Sequence, residues 1–300
     1  MSESNPPFFT AGWLGADEVQ QTFAAQYPAL AAAAPGLFRD VPADGSPILL
    51  YKAFKDVLGD FPSYPAQEIG DCVGFGHGHG VDLLQCVEIA LGAPAEFRET
   101  DTEFIYASSR EAAGILGRQD GSYGSAAVTA MTSIGLVSRD MLGADGPYSG
   151  QRAKQWGYSG VPPAIKAEAA AFKLGSAARV GTWDELTTAV RNGYPVSICS
   201  GQGFTLQRDK DGFCQAKGSW GHCMVIAGVR FDRPGACILQ SWGPDQPVGP
   251  TALGQPSYSF WADRAVVERI LAQGDYWALA KAPQFVARAL PPSWSYHQAA

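Results

Sequence analysis

The chain has 300 residues, 46% of them hydrophobic and 17% charged, which suffices for a sizeable core and argues against disorder. Lysine and arginine total 22 against 29 acidic residues, a formal charge of −7, and that balance excludes partners such as nucleic acid or an anionic membrane that require a basic patch. No window approaches the ~20 uninterrupted apolar residues of a membrane span, and the start of the chain lacks a secretory signal pattern, so residence inside a cell is expected.

Residues 1–60 read as an ancillary segment. Its alanine-rich stretch predicts a helix over 23–34 that stops before Pro35, and a second short helix over 49–58. A turn-rich stretch follows, and then apolar residues at 81, 84, 87, 90 and 91 give a helical period that ends at Gly92. Asp71 suits the N-cap position ahead of that helix, which puts Cys72 at its first residue. Further helices are expected up to Gly135, over 164–174, and from the capping box of Thr182 and Glu185 to Gly193. Strand signals then dominate, over 194–200, 222–231, 236–242 and 257–261. Helices first and sheet afterwards predict an α+β protein with two lobes.

A cysteine in the first turn of a helix is favoured as thiolate by the unpaired N–H groups and the dipole there, and becomes a strong nucleophile beside a histidine. The chain holds four histidines: His77 and His79 share the segment of Cys72, His297 lies near the C-terminus, and His222 opens a strand. His222 is therefore the best partner, although only the fold can bring it to Cys72. Gln240, on the strand that ends in Trp242, offers a side-chain acceptor to hold the imidazole, and the indole could shield that bond from water.

Gln67 with Gly70-Asp71-Cys72, Gly221-His222 at a strand start, and Gln240-Ser241-Trp242-Gly243 together resemble the papain-like cysteine peptidases, in particular bacterial and phage-encoded members. The resemblance spans roughly residues 60–285. It implies a helical lobe carrying the cysteine over about 61–160 and an antiparallel sheet lobe carrying the histidine over about 176–285. These form one domain over 61–290, followed by a tail over 291–300. It also implies Cys72 as nucleophile, His222 as general base and acid, Gln67 with the Cys72 amide as oxyanion hole, and Gln240 as the group that orients His222. No metal or organic cofactor is implied, and the substrate would be a polypeptide. The chain departs from the family in having glutamine rather than asparagine at 240 and four residues rather than five between Gln67 and Cys72.

The register of the second hairpin stays open at this level. His222 and Gln240 face each other directly if the hairpin is centred on Phe231, whereas a turn over 232–235 sets Gln240 opposite Ala227. Cys223 would point to the opposite face from His222, and with Cys86, Cys199 and Cys237 it reads as core; a Cys223–Cys237 bridge is the less favoured alternative. The run Gly74-Phe-Gly-His-Gly-His-Gly80 lacks the residues of a phosphate loop, and its histidines would lie on different helix faces and could not share a metal. It reads as a buried helix needing close backbone approach, with His79 on the face of Cys72. Asp71, His79, Trp220 and Trp242 are the candidate cleft-lining residues. The leading expectation is a cysteine peptidase, restrained by assembly with other subunits or by a short N-terminal plug. The alternative is a catalytically weak papain-like scaffold that binds or builds, such as a phage virion component, which would place the chain in the cytoplasm or a virion.

Overall fold

A computed structural model describes residues 11–38 and 45–295; the candidate histidine at 297 lies outside the described residues. The first part holds α1 (Glu18–Ala24), α2 (Leu30–Ala33), the short strand β1 (Ile48–Leu49) and α3 (Lys52–Leu58). The helix expected over 23–34 is thus broken. Pro28 disfavours helical geometry at the residue before it, and the chain turns extended at Ala29 before α2 begins. The helix expected from residue 49 starts only at Lys52, because Ile48 and Leu49 pair with Val229 and Gly228.

Helices then follow one another: α4 (Cys72–Ala90), α5 (Thr102–Ala112), α6 (Gly124–Ser133), α7 (Gly150–Ser159) and α8 (Pro163–Ala169). After them come β2 (Ser176–Arg179), α9 (Trp183–Arg191), β3 (Val196–Phe204), β4 (Ala216–Arg230), β5 (Gly235–Leu239), β6 (Ser259–Asp263), α10 (Arg264–Leu271) and β7 (Tyr276–Ala280). The strands form one antiparallel sheet in the order β2-β7-β3-β4-β5-β6, with β1 alongside β4 just beyond the point where β3 begins. Helices gathered beside an antiparallel sheet make the α+β architecture expected from element order. The capping box is present too: Thr182 Oγ1 accepts from Glu185 N, while the Glu185 carboxylate turns to Gly181 N rather than to Thr182 N. The elements α5, α7, α10, β2 and β7 are additions to those expected. Among the described residues no helix is long and apolar enough to cross a membrane.

The long helix α4 is the seam between the two halves, and its glycines explain how. A Cβ on Gly74 would lie 2.2 Å from the carbonyl oxygen of Thr102 on α5, and one on Gly76 would lie 2.7 Å from the Cys223 sulfur on β4. Real side chains do not survive at such separations. One side of α4 therefore meets α5 at backbone distance and the other meets the sheet, which offsets the roughly 1 kcal/mol that each glycine costs in a helix interior. This is the close-approach helix predicted for the glycine run, extended so that Cys72 is its first residue. On α5, the buried carboxylates of Asp101 and Glu103 are held by Arg139 and Arg152 in one ion-pair network.

Candidate active site

Cys72 opens α4 from the N-cap position of Asp71, whose carbonyl accepts the amides of Gly74 and Phe75. The Asp71 side chain does not cap the helix, contrary to expectation. Its Oδ2 accepts a 2.9 Å hydrogen bond from Tyr148, whose hydroxyl in turn accepts from Glu68 N. Burial raises the Asp71 carboxyl well above the usual carboxylate range, with the Tyr148 bond opposing that rise. Burial thus opposes a negative charge on Asp71 beside the thiol, and whatever charge it carries adds to the rise of the Cys72 thiol.

The Cys72 sulfur lies against the middle of β4: it is 3.9 Å from Gly221 O, and the nearby amides of Cys223 and Gly12 favour its ionised form. His222, the residue between, stacks on Trp242 with ring centroids 5.0 Å apart and planes 19° off parallel. Trp220 meets Trp242 edge-on at 4.9 Å, so two indoles wall the imidazole. Burial drives both groups toward neutrality. It pushes the Cys72 thiol well up, helped by the neighbouring Cys223, and pushes His222 down to about 3. In this closed form the pair is a thiol and a neutral imidazole, not an ion pair.

Gln67 ties the loop before α4 to the sheet half. Its backbone N–H donates to Ser241 O, its Oε1 accepts from Ser241 Oγ at 2.6 Å, and its Nε2 donates to Ile69 O. The Gln240 amide donates to Gln246 O and accepts from Trp242 N. The hairpin register agrees with neither expectation. Val225 pairs with Leu239 and Arg230 with Gly235, with a bulge between Ile226 and Gly228. Continued one step, Gln240 falls level with Met224, two residues from His222 and on the same sheet face.

His79 does not reach Cys72. It stacks on Tyr64 at 3.6 Å, meets Phe75 edge-on, and is held neutral by burial with a pKa of about 3. Cys223 points away from His222 as expected, but its opposite number is Cys199, not Cys237, which pairs with Gly228 and Trp261. The bridge considered between Cys223 and Cys237 is therefore excluded by register. All six cysteines are free thiols. Among the described residues no cluster of histidine, cysteine and carboxylate side chains is arranged to hold a metal.

The segment 11–14 crosses the site where a short N-terminal plug would lie; the sequence did not disclose which residues form it. Gly12 N and Trp13 N donate to Gly221 O at 2.8 and 3.0 Å, Gly12 O accepts from Ser122 N, and Leu14 N donates to Ser122 O. The Trp13 indole donates to the buried carboxylate of Asp275 at 2.8 Å. Glycines make the crossing sterically feasible. A Cβ on Gly12 would lie 2.2 Å from Gly70 O, one on Gly70 would lie 2.7 Å from Ala11 O, and one on Gly221 would lie 2.5 Å from Trp13 O. Downstream, α1 anchors the segment through Asp17 to Tyr123 and Gln20 to Gly274 and Ser125. The sequence signal, three glycines far apart in the chain, has meaning only once the fold places them together.

No family model and no curated protein sequence matches the chain. Solved structures do. Xylellain, a cysteine protease from Xylella fastidiosa, aligns over 93% of this chain and 99% of its own at a TM-score of 0.66 and 14% identity. Procathepsin B S9 from Trypanosoma congolense covers 91% of this chain and 86% of its own at a TM-score of 0.58 and 10% identity. A digestive procathepsin L2 proteinase from the Tenebrio molitor larval midgut covers 91% and 78% at a TM-score of 0.58 and 14% identity. At these identities the likeness is one of fold: the chain has the papain-like fold.

Proposed function

We propose that the protein is a cysteine-type peptidase whose cleft is held shut by its own residues 11–14. The observation that carries this reading is the position of Cys72: it starts α4 with its sulfur against residues 221–223 of β4, where His222 stacks on Trp242. In the open form, His222 takes the Cys72 proton and the thiolate attacks the scissile carbonyl. The developing oxyanion is met by the Cys72 amide at the helix start and by the Gln67 amide. His222 then returns the proton to the leaving amine, and water hydrolyses the acyl-thioester by the reverse sequence. Gln240 shares the sheet face of His222, and it orients the imidazole only when its amide turns away from Gln246 O and Trp242 N. The thiol and imidazole are neutral in the closed form because no water reaches them, and opening supplies the solvation that an ion pair needs.

The test is turnover of a quenched fluorescent peptide library by the Gly12→Ala protein, in which the crossing segment is displaced. Hydrolysis that disappears in Gly12→Ala/Cys72→Ala, with melting unchanged, supports the reading. A folded Gly12→Ala protein whose Cys72 alkylates readily yet cleaves no peptide would overturn it, and the scaffold reading would replace it.

A further inference from the structure

Directly beneath the candidate nucleophile lies a second thiol cluster that the proposed hydrolysis does not use. Cys199 on β3 and Cys223 on β4 are register partners. Cys199 N donates to Asp275 O on the opposite side, toward β7. Because a strand residue points its N–H and C=O to the same side, Cys199 and Cys223 form a non-hydrogen-bonded pair. Such pairs bring Cα atoms to about 4.5 Å, with side chains on one face. Disulfides span Cα separations of about 4.4–6.8 Å, so the backbone already stands where a cross-strand bridge requires it. The two thiols are close enough to shift each other's ionisation. Cys223 Sγ is also 3.7 Å from His77 Nδ1, a ring nitrogen that lies 2.9 Å from Val73 O.

The cluster is closed on every side by α4, by the Gly124 end of α6 and by Asp275. A Cβ on Gly76 would lie 2.7 Å from the Cys223 sulfur, and one on Gly124 would lie 2.8 Å from the Cys199 sulfur. Burial raises both thiols. At Cys223 the bond from Cys199 and the neighbouring His77 outweigh burial and bring it down to about 7, whereas Cys199 stays well above its ordinary value. With His77 Nδ1 3.7 Å from its sulfur, Cys223 is the thiol of the pair placed to act as the nucleophile.

We infer that Cys199 and Cys223 are a redox-closing pair that a hydroperoxide converts to a cross-strand disulfide. The Cys223 thiolate attacks a peroxide oxygen: an S–O bond forms, the O–O bond breaks, and the leaving hydroxide takes up a proton as water. Cys199 then loses its proton and attacks the Cys223 sulfur: the S–S bond forms, the S–O bond breaks, and a second water leaves. Two thiols are oxidised by two electrons, and one hydrogen peroxide is reduced to two waters. The oxidant is water-sized and enters through the cleft once residues 11–14 lift. Cys72 is the competing partner, but its sulfur lies against Gly221 O, while Cys199 is the residue in register with Cys223 on the neighbouring strand. The inference does not depend on peptidase activity.

The test treats the full-length wild-type protein and the Gly12→Ala protein with hydrogen peroxide, alkylates them after denaturation, and maps the peptides by mass without reduction. The expected result is a linked pair of peptides containing Cys199 and Cys223, lighter by two hydrogens than the sum of the free peptides and separated again by dithiothreitol. In Cys199→Ser the sulfenic acid should persist on Cys223 and be trapped by dimedone. Linkage of Cys223 to Cys72, dimedone capture on Cys199, or full alkylation of Cys199 and Cys223 in both oxidised proteins would each overturn the inference. The peptide map on wild-type protein decides the pairing even where the serine variant fails to fold.

Discussion

Gly12→Ala is the most direct perturbation of the closed cleft. Gly12 does not occupy the left-handed backbone region, so alanine is not opposed by its own φ, and the cost comes from the neighbours. The added methyl would sit 2.2 Å from Gly70 O, 2.5 Å from Gly70 C and 3.0 Å from Cys72 Sγ. Two of these atoms are backbone and the third belongs to a buried residue at a helix start, so the segment itself must move. Overpacking of this kind costs about 1–3 kcal/mol. Here the cost falls on the closed form alone, and each 1.4 kcal/mol is worth about tenfold in an equilibrium. The open population should therefore rise about five- to hundredfold. The assay is the rate of iodoacetamide labelling of Cys72 at pH 8, followed by peptide mass mapping, with thermal melting to show that the protein stays folded. Gly36→Ala is the control, since nothing lies within 4 Å of a Cβ there. Labelling of a folded Gly12→Ala protein at the wild-type rate would refute the reasoning, because it would mean that residues 11–14 do not limit access to the sulfur.

The pH dependence has opposing parts. His79 and His222 are buried neutral at about 3, so they bind protons only when the fold opens; stability from them is complete above pH ~6.5 and falls as pH drops toward 3. Urea melts should show His79→Phe reducing that acid slope by about one proton. Asp82 runs the other way: burial raises its carboxyl to about 7, so stability is lost as pH climbs from ~4 to ~7 and the folded state must ionise it. Asp82→Asn should flatten this limb, and its advantage over wild type should grow by about 1–4 kcal/mol across that window; an advantage independent of pH would contradict the assignment. Arg139 neutralises Asp101 and Glu103, both fully buried, and Arg139→Ala should cost about 3–5 kcal/mol in chemical denaturation by leaving buried charge uncompensated. A loss below 1 kcal/mol would mean that Arg152 alone suffices.

Much of the local structure was legible in the residues. The start of α4 at Cys72 was placed correctly although the Asp71 side chain does not cap it, the capping box marks α9, and the glycine run reads as a helix packed at backbone distance. These are signals carried within one or two turns, where caps, periodicity and side-chain volume act on near neighbours. The break at Pro28 belongs to the same class and was outweighed by alanine content. The short strand at Ile48 does not, since its pairing partner lies some 180 residues away at Val229.

For the candidate site, the residue types that suggest thiol chemistry were visible, but their mutual arrangement was not. The relation of Gln240 to His222 turns on a bulge between Ile226 and Gly228, and a shift of one residue would reverse which side chains share a face. Asp71 reads as a cap in isolation and is drawn instead to Tyr148 by the packing of a distant connection. The sequence by itself determined that a cysteine would stand at a helix start and that the histidine would lie on a strand; the strand expected to carry Gln240 ends one residue before it. It also determined that an acidic, core-rich chain would fold as helices beside a sheet. Only the tertiary structure decided that Gly12 would lie between Gly70 and Cys72, that Trp13 would find Asp275, and that Cys199 would face Cys223. Each of these contacts joins residues from distant parts of the chain, and such contacts are set by which surfaces pack best as wholes, not by any local preference.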